Sequence, residues 1–77
     1  MIDLEREIKT IMSQVFEIDE AEITANTSQK NCGQWDSLHH LMLVSELEDE
    51  YGIEMEPEEI AEMTDFEKVL AKVKSLL

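Results

Sequence analysis

Ser37 is the side chain of this sequence best placed to accept a covalent modification. It stands in Trp35-Asp36-Ser37-Leu38, where a polar loop gives way to an amphipathic segment. Asp36 is a good N-cap and Leu38 to Tyr51 reads as a helix, which puts Ser37 in the first helical turn. A hydroxyl there is exposed, and the unpaired N–H groups and positive dipole end beside it favour an attached phosphate. No base within the chain need act on it if another protein performs the modification. Other chemistries find little support. The chain has no nucleophile–base pair, no Gly-rich phosphate loop and no Cys/His zinc spacing. Cys32, His39 and His40 do not fall at ligand spacing, and Glu48-Asp49-Glu50-Tyr51-Gly52 lacks the alternating oxygens of a calcium loop, so no metal site is expected. His39-His40 reads as a surface pair on the helix, gaining charge near pH ~6.5.

The elements around Ser37 are helical, with no convincing strand. Leu4, Ile8, Ile11, Met12, Val15 and Phe16 recur at helical spacing and predict a first helix over Asp3–Phe16. A long connection follows over 17–36, too long for a passive turn. Ile18, Ile23 and Trp35 are its apolar residues and should pin it to the core. In the second helix, Leu38, Leu41, Val44, Leu47 and Tyr51 share one broad face, Met42 and Leu43 flank it, and Gly52 is the expected stop. Pro57 suits the first turn of a short helix ending near Met63, with Ile60 and Met63 turned inward. Thr64-Asp65-Phe66-Glu67 has the form of a capping box with Thr64 as cap. It opens a last helix with Phe66, Val69, Leu70, Val73 and Leu76 or Leu77 as its buried stripe. The order predicts an all-α fold, an antiparallel four-helix bundle of three main helices and a short third one, with a long first loop.

Size and charge narrow the function classes. The 77 residues fit one small domain over 1–77, without material for a deep catalytic cleft. A lone cysteine, no apolar run of roughly 20 residues, and no signal-type N-terminus point to a cytoplasmic protein that does not insert into membranes. Net charge is −13. The basic residues are Arg6, Lys9, Lys30, Lys68, Lys72 and Lys74, so the stretch between Lys30 and Lys68 carries only acids, including Glu46, Glu48, Asp49, Glu50, Glu54, Glu56, Glu58, Glu59 and Glu62. That stretch repels nucleic acid and anionic lipid, and attracts basic protein surfaces.

The triplet Asp36-Ser37-Leu38 opening an acidic helix, followed by Leu47-Glu48-Asp49-Glu50-Tyr51-Gly52-Ile53-Glu54-Met55 and Pro57-Glu58-Glu59, closely resembles the acyl carrier proteins. The similarity covers essentially the whole chain and is strongest from Trp35 to Glu67. It implies a non-catalytic carrier whose cofactor is 4′-phosphopantetheine, attached covalently from coenzyme A to Ser37 within the motif residues Asp36 and Leu38. It also implies a phosphopantetheinyl transferase, an acyl- or aminoacyl-activating ligase, and acyltransferases or synthases with basic docking surfaces as partners. On this resemblance the partner-facing residues are His39, Met42, Glu46, Glu48, Asp49, Glu54 and Glu58, and Asp36 caps the helix, helps hold the transferase's magnesium, or does both.

The chain also departs from the family pattern. Carriers for bulk fatty-acid synthesis usually have acids soon after the serine, where this chain has His39 and Met42. Trp35 replaces a small or aliphatic residue and reads as a core anchor. These differences suggest a dedicated carrier of a specialised lipid, polyketide or other metabolite pathway, with a D-alanyl-type aminoacyl carrier as an alternative. If the cargo is a long chain, Leu41, Val44, Ile60 and Val69 are the candidate lining of a sheltering groove, ordinary core packing being the alternative. A different class of reading is an unmodified acidic adaptor that binds a basic protein partner. A monomer is expected, with Met42 and Leu43 as the seed of any weak self-contact.

Overall fold

A computed structural model describes residues 3–77. Among them lie four helices: α1 (Leu4–Phe16), α2 (Ser37–Tyr51), α3 (Pro57–Glu62) and α4 (Phe66–Leu76). The predicted helical bundle is therefore the fold, with α1 packed on both α2 and α4. α1 starts at Asp3, whose carboxylate accepts the Arg6 N–H, and ends at Glu17, whose left-handed backbone returns its N–H to the Ser13 carbonyl. Gly52 ends α2 in the same way, with φ 63° and its N–H on the Glu48 carbonyl. A left-handed residue at this position closes the helix by satisfying carbonyls of its last turn, and glycine adopts it without steric cost.

The core draws on three of the helices, the long loop and the segments that flank α3. Ile8, Met12, Val15 and Phe16 of α1, Leu43, Val44 and Leu47 of α2, and Phe66, Val69 and Val73 of α4 are buried together. Ile53, Met55 and Met63 close the cluster around α3. Ile23 and Trp35 of the long loop are buried in it and Ile18 packs against it, so the loop is pinned as its apolar residues predicted. A 3₁₀ turn at Glu20–Glu22, which no periodicity announced, begins on Asp19, whose carboxylate accepts the Ala21 N–H.

The middle of the loop is tied to the α3–α4 junction. Ser28 and Asp65 pair as an isolated antiparallel bridge. The Gln29 N–H donates to the Thr64 carbonyl at 3.0 Å, and the Phe66 N–H to the Thr27 carbonyl at 2.9 Å. Thr27 is buried and its hydroxyl accepts the Thr24 N–H at 2.8 Å, which folds the loop back on itself.

Three local expectations are corrected. The cap of α4 is Asp65, whose carboxylate accepts the Lys68 N–H, because Thr64 is already engaged with the loop through its carbonyl. A reciprocal capping box does occur, but on α3, between Glu56 and Glu59. On α2 the buried face is His40, Leu43, Val44 and Leu47, whereas Leu38 and Leu41 are 65% and 59% exposed. The helix is thus rotated from the expected face. Leu43 is core rather than a flank and cannot seed a self-contact, and Leu41 cannot line an internal groove. In α4, Leu70 and Leu76 are partly buried and Leu77 is exposed.

Candidate functional site

Ser37 is the first residue of α2 and is exposed. Asp36 precedes it in extended backbone, and its Oδ1 accepts the His39 N–H at 2.9 Å. The same oxygen accepts the His39 ring Nδ1–H at 2.8 Å, since a carboxylate can only accept. These contacts, the backbone donor first and the ring second, hold the Asp36 carboxyl below its usual range. The backbone carbonyl of Asp36 accepts the His40 N–H at 2.8 Å. The capped bonds use the amides of His39 and His40, so those of Ser37 and Leu38, at the start of the helix, are left to face outward. An exposed hydroxyl beside two such amides, at the positive end of a long helix, fits a phosphodiester anchored on Ser37 Oγ.

The floor beneath Ser37 is aromatic and dry. Trp35 is 2% exposed and lies against Phe16 with ring centroids 5.3 Å apart. His39 meets Phe16 edge-on at 6.4 Å. His40, expected at the surface, is only 7% exposed. The Trp35 indole N–H donates to His40 Nδ1 at 2.9 Å. An indole nitrogen can only donate, so Nδ1 must accept and the ring proton sits on Nε2, which donates to the Ile60 carbonyl at 2.7 Å. One neutral imidazole thus joins the loop, α2 and α3. Sequence reasoning missed it by treating the two histidines alike. The available signal was that His40, Leu43, Val44 and Leu47 fall at i, i+3, i+4 and i+7, a face that admits one polar residue if its nitrogens are paired.

Around this floor, Leu38, Leu41 and Met42 form an exposed apolar strip running from Ser37 along α2, Met42 being 44% exposed. Glu46, Asp49, Glu54 and Glu58 are exposed, and His39 is half-buried. Glu48 stands apart from the other acids: its carboxylate accepts the Met55 N–H at 2.9 Å and ties the end of α2 to the turn before α3. Glu59 is also committed. Its carboxyl is held below the usual range first by the Glu56 N–H and then by Lys72, 3.2 Å away on α4. Cys32 is buried and free. Among the described residues no group of three or more His, Cys, Asp or Glu side chains is placed to hold a metal ion. None of the described helices is long and apolar enough to cross a membrane.

Residues 6–73 match the family described as "Phosphopantetheine attachment site". The chain belongs to the acyl carrier protein family. In structure it is similar to a holo acyl carrier protein from Geobacter metallireducens solved in solution, at 27% identity and a TM-score of 0.85, over 97% of this chain and 86% of that one. The group carried by an acyl carrier protein of this family is 4′-phosphopantetheine, covalently attached, and the role is that of an acyl carrier. The fold is a carrier fold, typically non-catalytic.

Proposed function

We propose that Ser37 is the attachment serine and that the chain holds acyl or aminoacyl intermediates for the enzymes of a specialised pathway. The observation that carries this reading is the exposed Ser37 hydroxyl at the first position of α2, in a chain whose family attaches phosphopantetheine. When attached, that group supplies a thiol on which cargo is held as a thioester, reactive because a thiolate leaves more readily than an alkoxide. The protein's own part is to present the anchor, keep its surroundings rigid and recruit partners. A tethered group is delivered at high effective concentration wherever the carrier docks.

Both Asp36 hydrogen bonds run to Oδ1, which supports a double role: one oxygen caps the helix, and Oδ2 remains for a magnesium ion in the transferase complex. Docking combines two kinds of surface. Leu38, Leu41 and Met42 offer apolar contact beside the anchor, and Glu46, Asp49, Glu54 and Glu58 offer charge farther along, with His39 between them. Glu48 contributes charge, but its first task is the turn it ties. His39 and Met42, where bulk fatty-acid carriers usually place acids, support a dedicated set of partners.

Intact-mass measurement after incubation with coenzyme A and a broad-specificity transferase tests the assignment. One phosphopantetheine should be gained, and none by Ser37→Ala. An unchanged mass, or a gain that survives Ser37→Ala, overturns it.

A further inference from the structure

We propose that the Trp35–His40–Ile60 bridge closes the seam between α2 and α3 beneath Ser37, so that cargo stays outside the bundle and long alkyl chains are not sheltered within it. The inference rests on Ser37 as the anchor. His40 lies one turn into α2 from Ser37, and its ring spans from the Trp35 indole to the carbonyl of Ile60 on α3. Between α2 and α3 at this level stand the Trp35 and His40 rings, whose centroids are 6.1 Å apart, with Phe16 behind Trp35. Deeper in, Val44 and Val69 are close-packed core, and Leu41 faces solvent.

A chain entering here would have to part both ring bonds. The Trp35 N–H would then be left dry and unpaired, which offsets the burial of the first few methylenes, and the displaced rings would have to be accommodated in a packed core besides. The open grooves lie elsewhere. One of about 510 Å³ is lined from Glu62 to Ser75 on the α3–α4 side. Another of about 340 Å³ lies between α1 and α2, lined by Gln14, Val15, Met42, Ser45 and Glu46. Neither is lined by Trp35, His40, Ile60 or the first turn of α2. The cargo class that suits such a carrier is a short or polar acyl or aminoacyl group, which loses nothing by standing in water.

The test uses the protein loaded from acetyl-, hexanoyl- and decanoyl-coenzyme A, each product verified by intact mass. Failure of all three to load counts against Ser37 as anchor and removes this inference with it. For loaded protein, cleavage by hydroxylamine reports the fraction of time the thioester is exposed, so the rates should agree within about threefold across chain lengths. The Trp35 indole N–H resonance should be the same in the decanoyl and unacylated holo forms. A decanoyl form cleaved more slowly than the acetyl form by about threefold or more, or a Trp35 resonance displaced by the decanoyl chain, overturns the proposal. His40→Ala opens the seam, and its decanoyl form should gain protection over its acetyl form. If that variant is folded by circular dichroism and still cleaves both alike, the bridge is not the barrier and the proposal falls. If it does not fold, the wild-type comparison alone decides.

Discussion

Replacing His40 by leucine tests how much of this small fold depends on one imidazole. Two bonds are lost with unequal consequences. The Ile60 carbonyl keeps a second donor, the Met63 N–H at 3.4 Å, so its loss is an ordinary net hydrogen bond of about 0.5–1.5 kcal/mol. The Trp35 N–H keeps none within a buried site, and orphaning it costs about 1–3 kcal/mol. The sum is roughly 2–4 kcal/mol, out of about 4–12 kcal/mol for a chain of 77 residues. In a domain of this size that lowers Tm by roughly 8–30 °C. The decisive measurement is a double-mutant cycle with Trp35→Phe, followed by urea unfolding at neutral pH. Phenylalanine removes the donor, so in the His40→Leu background there is nothing left to orphan, and Trp35→Phe should cost about 1–2 kcal/mol less there than in the wild type. Additivity within about 0.5 kcal/mol would refute the reasoning, because it would mean that the two rings are neighbours without a bond that matters.

Other expectations follow from the same geometry. The hydroxyl of Tyr51, the only tyrosine, donates to Glu7 Oε1 at 3.0 Å, and burial first and Glu7 second push its pKa up to about 12. A folded value raised above the ordinary ~10 means that the bond stabilises fully below that pH and is lost as pH rises through about 12. Ultraviolet titration should therefore show a tyrosinate midpoint near 12, and a midpoint near 10 would place Tyr51 in water. Gly52→Ala places no Cβ within 4 Å of any neighbour, so its cost is backbone strain alone, about 1 kcal/mol in thermal unfolding. Gly33→Ala also meets nothing but lacks a positive φ, and should be neutral or slightly stabilising. With a net charge of −13, added salt or millimolar divalent cation should raise Tm, and a Tm indifferent to both would show that repulsion does not limit stability.

The helices and their stops were legible because each rests on local rules. Asp36 and Gly52 mark the ends of α2 by side-chain capping and left-handed backbone, and both hold as expected. The stripes of α1 and α4 were legible because their apolar residues fall on one face, so only one orientation buries them. α2 was harder to orient. It carries apolar residues on both faces, and the choice between Leu41 and His40 as the inward residue turns on partners distant in sequence, Ile60 above all. The cap of α4 was misplaced for a related reason: the Thr64 carbonyl is drawn off by Gln29, a contact across the fold that no local pattern records. The carrier role itself was readable from Asp36-Ser37-Leu38 and the acidic block that follows, whereas the interior place of His40, on which the proposed cargo limit rests, was not.

The backbone pairing of Ser28 with Asp65 changes what kind of object the long crossover is. It acts as a mooring at mid-span, dividing one lengthy tether into two ordinary ones whose slack is taken up separately. Each half is short enough to be held by its own turn: the Thr27 N–H reaches the Thr24 carbonyl on one side, and on the other the Asn31 side chain accepts the Ser28 N–H and donates to the Asn26 carbonyl. Within Thr27–Gln29 a single inserted residue would shift the stitch out of phase and release both halves at once.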